Sequence, residues 1–193
     1  MCMTKVISTF ALTLTFASLA QAIPLSDAQD IVTDASSALV EFDRIPEQAI
    51  PDSLYRASQC VAVVPGLVKG GFVVGAKGGV GVVSCRVTNS WSPAAYMEVG
   101  GASIGWQVGL EKVQLVLVFT DKESATRFLQ SNFTAGADAS VAIGPVGRNL
   151  QAGTDYQLDK AIYTYSRSKG LFVGLVLDGS VIRPDTDYNQ AVY

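Results

Sequence analysis

The sequence contains no histidine, and that absence excludes more than any single residue it holds. Ser-His-Asp and Cys-His nucleophilic catalysis, His-ligated zinc or haem and imidazole acid–base chemistry all disappear together. Charge is also scarce. Only 16% of the 193 residues are charged and 49% are apolar, which rules out a disordered chain and provides for one well-cored domain. The cysteines are Cys2, Cys60 and Cys85, with no C-x-x-C spacing, so neither a thiolate zinc site nor a dithiol redox motif can be assembled. The net charge of −3 comes with no basic stripe, and nucleic acid is not an expected partner.

What is present begins with an export signal. Lys5 forms a positive n-region, Val6 to Leu19 is an uncharged, mostly apolar run, and Ala20-Gln21-Ala22 is an A-x-A cleavage site. The apolar run is shorter than the roughly 20 residues of a comfortable membrane span. Residues 1–22 are therefore expected to be a signal peptide cleaved after Ala22, leaving a mature domain at 23–193 in the periplasm. Cys2 lies ahead of the apolar run instead of at its end, so no lipobox is read and the protein is not expected to be a lipoprotein. Export makes one Cys60–Cys85 disulfide the default, with the loop it closes contributing about 3.5 kcal/mol; two reduced, buried thiols are the alternative.

Within the mature domain, Asp27, Asp30, Asp34, Glu41, Asp43, Glu47 and Asp52 crowd the first segment against the single base Arg44, while residues 53–193 carry a slight basic excess. The acidic segment predicts an amphipathic helix at about 26–43, with Ala28, Ile31, Val32, Ala35, Ala38, Leu39 and Phe42 on one stripe. Ser26 and Gln29 would form its capping box, and a short helix is predicted over 51–59. All 18 glycines lie between Gly66 and Gly179, and there the pattern changes to period two. Strands are predicted at 60–64, 71–77, 80–87, 94–99, 102–111, 139–143, 161–167 and 171–177. Val113–Phe119 is a further strand, buried on both faces. One helix interrupts them at 121–131, with a Thr120/Glu123 capping box, a Glu123–Arg127 pair and an inner face of Ala125, Phe128 and Leu129. Asp178-Gly179 reads as a hairpin turn. The fold class is α+β, a single domain built on a twisted, mostly antiparallel sheet able to curl toward a barrel, with its sheet-rich body at about 58–183.

Few motifs carry chemistry. The glycine run from Gly70 to Gly81 lacks the Gly-Lys-Ser/Thr of a phosphate loop and no helix pattern follows it; such glycines mark bulges and close backbone approach. The carboxylate pairs Asp121/Glu123, Asp155/Asp159 and Asp185/Asp187 are adjacent in polar surroundings and suit caps and turns better than a hydrolytic dyad or a calcium site. No catalytic residue, cofactor or metal is expected. Tyr163, Tyr165 and Arg167 would share one strand face beside Lys169, a set able to meet an anionic headgroup or an acidic protein, or simply to pack a hairpin.

An ordered series of motifs then becomes recognisable. It runs Ile45-Pro46, Cys60 to Lys69, Gly70-Gly71-Phe72, Gly81 to Arg86, Trp91-Ser92-Pro93, Gly100-Gly101, Gly136 to Ser140, Gly144-Pro145 and Tyr165 to Gly170. Together these resemble the SYLF domain over about residues 27–193. The resemblance implies a binding module. In yeast and animal endocytic proteins the domain binds phosphoinositide-containing membranes, partly through an N-terminal amphipathic helix, and fungal members bind and bundle actin. Bacterial members are exported proteins. This chain departs in its acidic helix and in the lack of a lipobox and of a Src-homology-3 pattern. Actin is not an expected partner in a bacterial periplasm.

The function expected is thus a non-enzymatic, exported lipid- or membrane-associated module of the cell envelope, its partner a lipid headgroup or an envelope protein. The candidate binding residues are Ile31, Leu39 and Phe42 on the helix and Lys69, Lys77, Arg86, Arg148, Tyr165, Arg167 and Lys169 on the body. A periplasmic scaffold without lipid affinity is the alternative. A small outer-membrane barrel fits poorly, because Val113–Phe119 and Leu171–Leu177 do not alternate.

Overall fold

A computed structural model describes residues 23–44, 49–88, 90–130, 132–144, 159–168, 171–172, 177 and 179–193. The expected signal peptide, Arg148, Lys169 and the Ile45-Pro46 pair lie outside the described residues.

Two very long strands organise the molecule. β1 (Cys60–Val87) and β3 (Ala95–Phe119) pair antiparallel from Cys60↔Phe119 to Val83↔Ala95, with the two-residue β2 (Ser90–Trp91) between them in sequence. Laid flat, β1 would reach about 90 Å. Instead it curls until its ends touch: the Arg86 N–H donates to the Gln59 carbonyl at 2.7 Å, and Cys60 is disulfide-bonded to Cys85. The separate strands predicted at 60–64, 71–77 and 80–87 are thus one strand, and those at 94–99, 102–111 and 113–119 are its partner. Glycine permits the curl. A methyl group on Gly81 would come within 2.2 Å of the Val63 carbonyl oxygen, because the two arms of β1 cross there backbone to backbone. Register slips between Val64 and Leu67 and between Gly71 and Val73, where Gly71 takes a φ of 151°, are the bulges that bend the ribbon.

The remaining strands widen this ribbon. β6 (Ile162–Ser168) pairs with the end of β3, β5 (Val141–Ile143) lies parallel to β6, and β7 (Leu171–Phe172) pairs with β6. β8 (Val181–Pro184) pairs with the start of β3, and β4 (Phe133–Thr134) with β8. The result is a strongly curled, mostly antiparallel half-barrel in a single α+β domain, as expected. Gly179 occupies a turn with φ 74° before β8; Asp178 lies outside the described residues.

The sheet buries both faces. Leu115, Leu117 and Phe119 point into one core with Met97 and Ile182, closed by α3 (Lys122–Gln130) through the rings of Phe119, Phe128 and Phe133. Val116 and Val118 point the other way, with Tyr163 and Tyr165, toward α1 (Leu25–Asp43) and α2 (Asp52–Ala57). In α3 the Glu123–Arg127 pair forms at 2.7 Å, but two expectations fail. Leu129 is 46% exposed, and the cap is Asp121, whose carboxylate accepts from the Ser124 N–H and hydroxyl. Thr120 instead donates to the Lys160 and Ala161 carbonyls, a long-range attachment that outcompetes the local cap.

α1 packs through Ala28, Ala35 and Ala38, small residues that let it lie close on the sheet, and through the ring of Phe42. The Tyr96 hydroxyl donates to the Ala28 carbonyl at 2.9 Å near one end, and Arg167 donates to the Glu41 carbonyl near the other. The Ser26/Gln29 capping box does not form. The helix begins at Leu25 behind Pro24, and Ser26 hydrogen-bonds its neighbour Asp27. A C-terminal helix, α4 (Thr186–Val192), was not anticipated. Asp185 caps it, Asn189 exchanges two 2.8 Å hydrogen bonds with the Tyr96 backbone, and Tyr188 stacks on Tyr96.

Candidate functional site

Where α1 crosses the curled end of β1, the side chains are too small to fill the space between helix and sheet. Alternation along β1 sends Cys60, Ala62 and Val64, and again Val83 and Cys85, into the inner core. The residues between them, Val61 and Val63 on one arm and Val82 and Ser84 on the other, form the floor of a groove of about 540 Å³, with exposed Arg86 at its rim. Val32, Ala35, Ser36 and Leu39 of α1 make one wall, Tyr55 and Arg56 of α2 another, and Trp91 with Ala94 the far edge. The disulfide fixes this floor, because it ties together the two arms whose alternate residues line it. The volume lies within the roughly 300–1,000 Å³ typical of small-molecule sites.

The interior is chemically mute. Its two serine hydroxyls are already used: Ser84 donates to the Ser92 carbonyl at 2.7 Å and Ser36 to the Val32 carbonyl at 2.9 Å. Polarity is confined to the rim. Arg86 donates from Nε to the Ser58 carbonyl and from Nη2 to the Tyr55 carbonyl, both at 3.1 Å, and its guanidinium lies 4.9 Å from the Trp91 ring centroid. Among the described residues neither Arg56 nor Arg86 forms an ion pair with a carboxylate. Burial, and then the carboxylates of Asp43 and Asp52, push the Tyr55 phenol up, so it stays a neutral hydroxyl. Burial and Asp52 likewise raise the Asp43 carboxyl above its ordinary value.

The structure scatters the residues proposed from sequence. Arg86 reaches the groove rim, and Leu39 lines its wall while Ile31 lies half-buried further along α1. Phe42 is 1% exposed and lies beneath the Arg167 guanidinium, 5.6 Å from its ring centroid. Tyr165 is wholly buried beside it in the α1 core. Lys69 pairs with Glu111 at 2.9 Å, and Lys69, Lys77 and Arg167 are all buried to 9% exposure or less. They form no continuous basic surface. Sequence reasoning missed Val32, Ala35, Tyr55, Arg56, Val61, Val63, Val82, Ser84 and Trp91. A usable signal existed: with Cys60 and Cys85 paired, period-two alternation places 61, 63, 82, 84 and 86 together on the opposite face.

No group of three or more potential metal ligands occurs among the described residues, and no helix there is long and apolar enough to cross a membrane. Residues 100–193 match a family model, Ysc84, described as "Las17-binding protein actin regulator". The chain is 33% identical over 166 residues to SH3 domain-containing YSC84-like protein 1 of Xenopus laevis, covering 82% of this chain and 49% of that protein. It is 31% identical to the Homo sapiens protein of the same name over the same length, covering 82% of this chain and 48% of that protein. It is 30% identical over 151 residues to Protein YSC84 of Saccharomyces cerevisiae, covering 76% of this chain and 32% of that protein. The chain thus spans about half the length, or less, of the curated relatives it matches. The ordered motifs and these similarities agree: the chain belongs to the SYLF (Ysc84) domain family.

Proposed function

We propose that the chain is an exported, non-enzymatic lipid- or membrane-associated binding module of the cell envelope. The observation that carries this reading is the groove, apolar throughout its interior and cationic only at its rim, which is the polarity of an amphiphile inverted in sign. Family membership supports it, because the SYLF family is one of binding and adaptor proteins. The Cys60–Cys85 disulfide supports export, since such bonds persist in oxidising compartments. The test is co-sedimentation of residues 23–193 with zwitterionic and anionic vesicles at two salt concentrations. Sedimentation that favours anionic vesicles and weakens with salt is expected; folded protein that stays in the supernatant with every vesicle refutes the reading. A second reading, a protein-interaction scaffold, is favoured by the bend of the β1–β3 ribbon, where Val74 and Leu110 stand exposed. It predicts capture of a defined envelope protein that withstands detergent and high salt.

A further inference from the structure

We propose that the groove is a site for one molecule of a long-chain fatty acid, its hydrocarbon tail lying between α1 and β1 and its carboxylate at Arg86. This deepens the lipid-binding reading and rests on it, but concerns a monomeric ligand and not a bilayer surface. Three observations select that occupant. The volume, about 540 Å³, lies in the range of single small-ligand sites. The hydroxyl protons of Ser36 and Ser84 are spent on backbone carbonyls, so neither serine has a proton left to hold a carboxylate in the interior, which favours a hydrocarbon tail there. The charge is at one end. Arg86 is held in place by the Ser58 and Tyr55 carbonyls and stacked on Trp91, and it lacks a carboxylate partner among the described residues. A guanidinium fixed in this way is preorganised for a carboxylate.

The experiment titrates residues 23–193 with sodium palmitate below its aggregation concentration, and with hexadecanol as a neutral tail of equal length, reading tryptophan fluorescence and calorimetry. Binding at one palmitate per chain is expected. V61F, which fills the groove floor from a half-buried position, should abolish it, with circular dichroism confirming the fold. R86Q should weaken palmitate about tenfold, the cost of a lost charge-assisted hydrogen bond, while leaving hexadecanol unchanged. R56E, at an exposed position, should weaken palmitate less than R86Q. Palmitate that binds V61F as well as it binds the unaltered protein would overturn the proposal, as would absence of palmitate binding. Vesicle sedimentation of the same samples separates the two failures. Vesicle binding without palmitate binding overturns the fatty-acid site and leaves the membrane reading standing. Loss of both overturns both.

Discussion

Phe42 decides whether α1 is part of the fold or an appendage. The ring is 1% exposed, packed in the same core as Val116, Val118, Tyr163 and Tyr165, with the Arg167 guanidinium 5.6 Å from its centroid. An aromatic side chain buries about 150–250 Å², worth about 4–6 kcal/mol at about 25 cal/mol/Å²; the alanine methyl keeps part of that area, so truncation forfeits some 3–4 kcal/mol. Lost packing with Arg167 adds about 0.5–1 kcal/mol. F42A should therefore destabilise by about 4 kcal/mol, within the range measured for buried Phe→Ala changes. Followed by circular dichroism in urea, with a slope of about 2 kcal/mol/M, the midpoint should fall by about 2 M. A free amphipathic helix held ready for a bilayer would behave otherwise, since a solvent-facing substitution changes stability by about 0.5 kcal/mol or less. A loss below about 1 kcal/mol would refute the docked helix and with it the groove that the helix walls.

Three further outcomes follow from the geometry. Replacing both Cys60 and Cys85 by alanine, or reducing the bond, should cost about 3.5 kcal/mol in urea unfolding; two free thiols titrated in the denatured native protein would remove the bridge altogether. G81A should cost about 2–3 kcal/mol, because the added methyl meets the Val63 carbonyl oxygen at 2.2 Å, whereas G100A, with nothing within 4 Å, serves as a near-neutral control in the same melts. Asp121 caps α3, so D121A should cost about 1 kcal/mol at neutral pH. Hydrogen bonds from Ser124 hold the Asp121 carboxyl below its ordinary value. Its contribution is therefore complete above the ordinary carboxylate pKa and lost as pH falls through the lowered one, and the gap between D121A and the unaltered protein should close below about pH 4.

Much of this fold was legible because periodicity reports burial directly. The α1 stripe, the two-sided burial of Val113–Phe119 and the pairing of Cys60 with Cys85 all correspond to what the chain does. The glycines misled in one respect. Gly66, Gly70, Gly78 and Gly79 fall between the strands predicted at 60–64, 71–77 and 80–87 and read as breaks, yet a single strand runs through them, bending at Gly71 and meeting its own backbone at Gly75 and Gly81 as bulge and close-approach glycines do. Helix starts failed for a related reason. Ser26 and Thr120 sit at plausible cap positions, but α1 is entered from Pro24, two residues before Ser26, and Thr120 is taken by carbonyls some 40 residues away. Short α4 is secured by Tyr96 and Ala94, about 90 residues distant, which no local pattern encodes. The basic surface was illegible because a lysine in a strand shows its charge and not its partner: Lys69 reads as a surface cation and is buried against Glu111.

On the lipid-binding reading, docking of α1 also fixes the direction from which a lipid would arrive. With Ala28, Ala35, Ala38 and Phe42 turned to the sheet, the exposed face of the helix presents Asp27, Asp30 and Asp34, and an anionic bilayer repels that face. The cations nearest the groove, Arg56 and Arg86, belong to α2 and to the end of β1, and Trp91, 42% exposed, stands beside them. An indole next to a guanidinium is the pair that partitions to the boundary between hydrocarbon and water. On the lipid-binding reading the approach is therefore edge-on, through α2 and β2, with α1 directed away from the bilayer as a wall of the groove. On that reading the amphipathic stripe packs α1 on the sheet and, through Val32, Ala35 and Leu39, walls the groove, while the bilayer-facing role passes from Phe42 to Trp91.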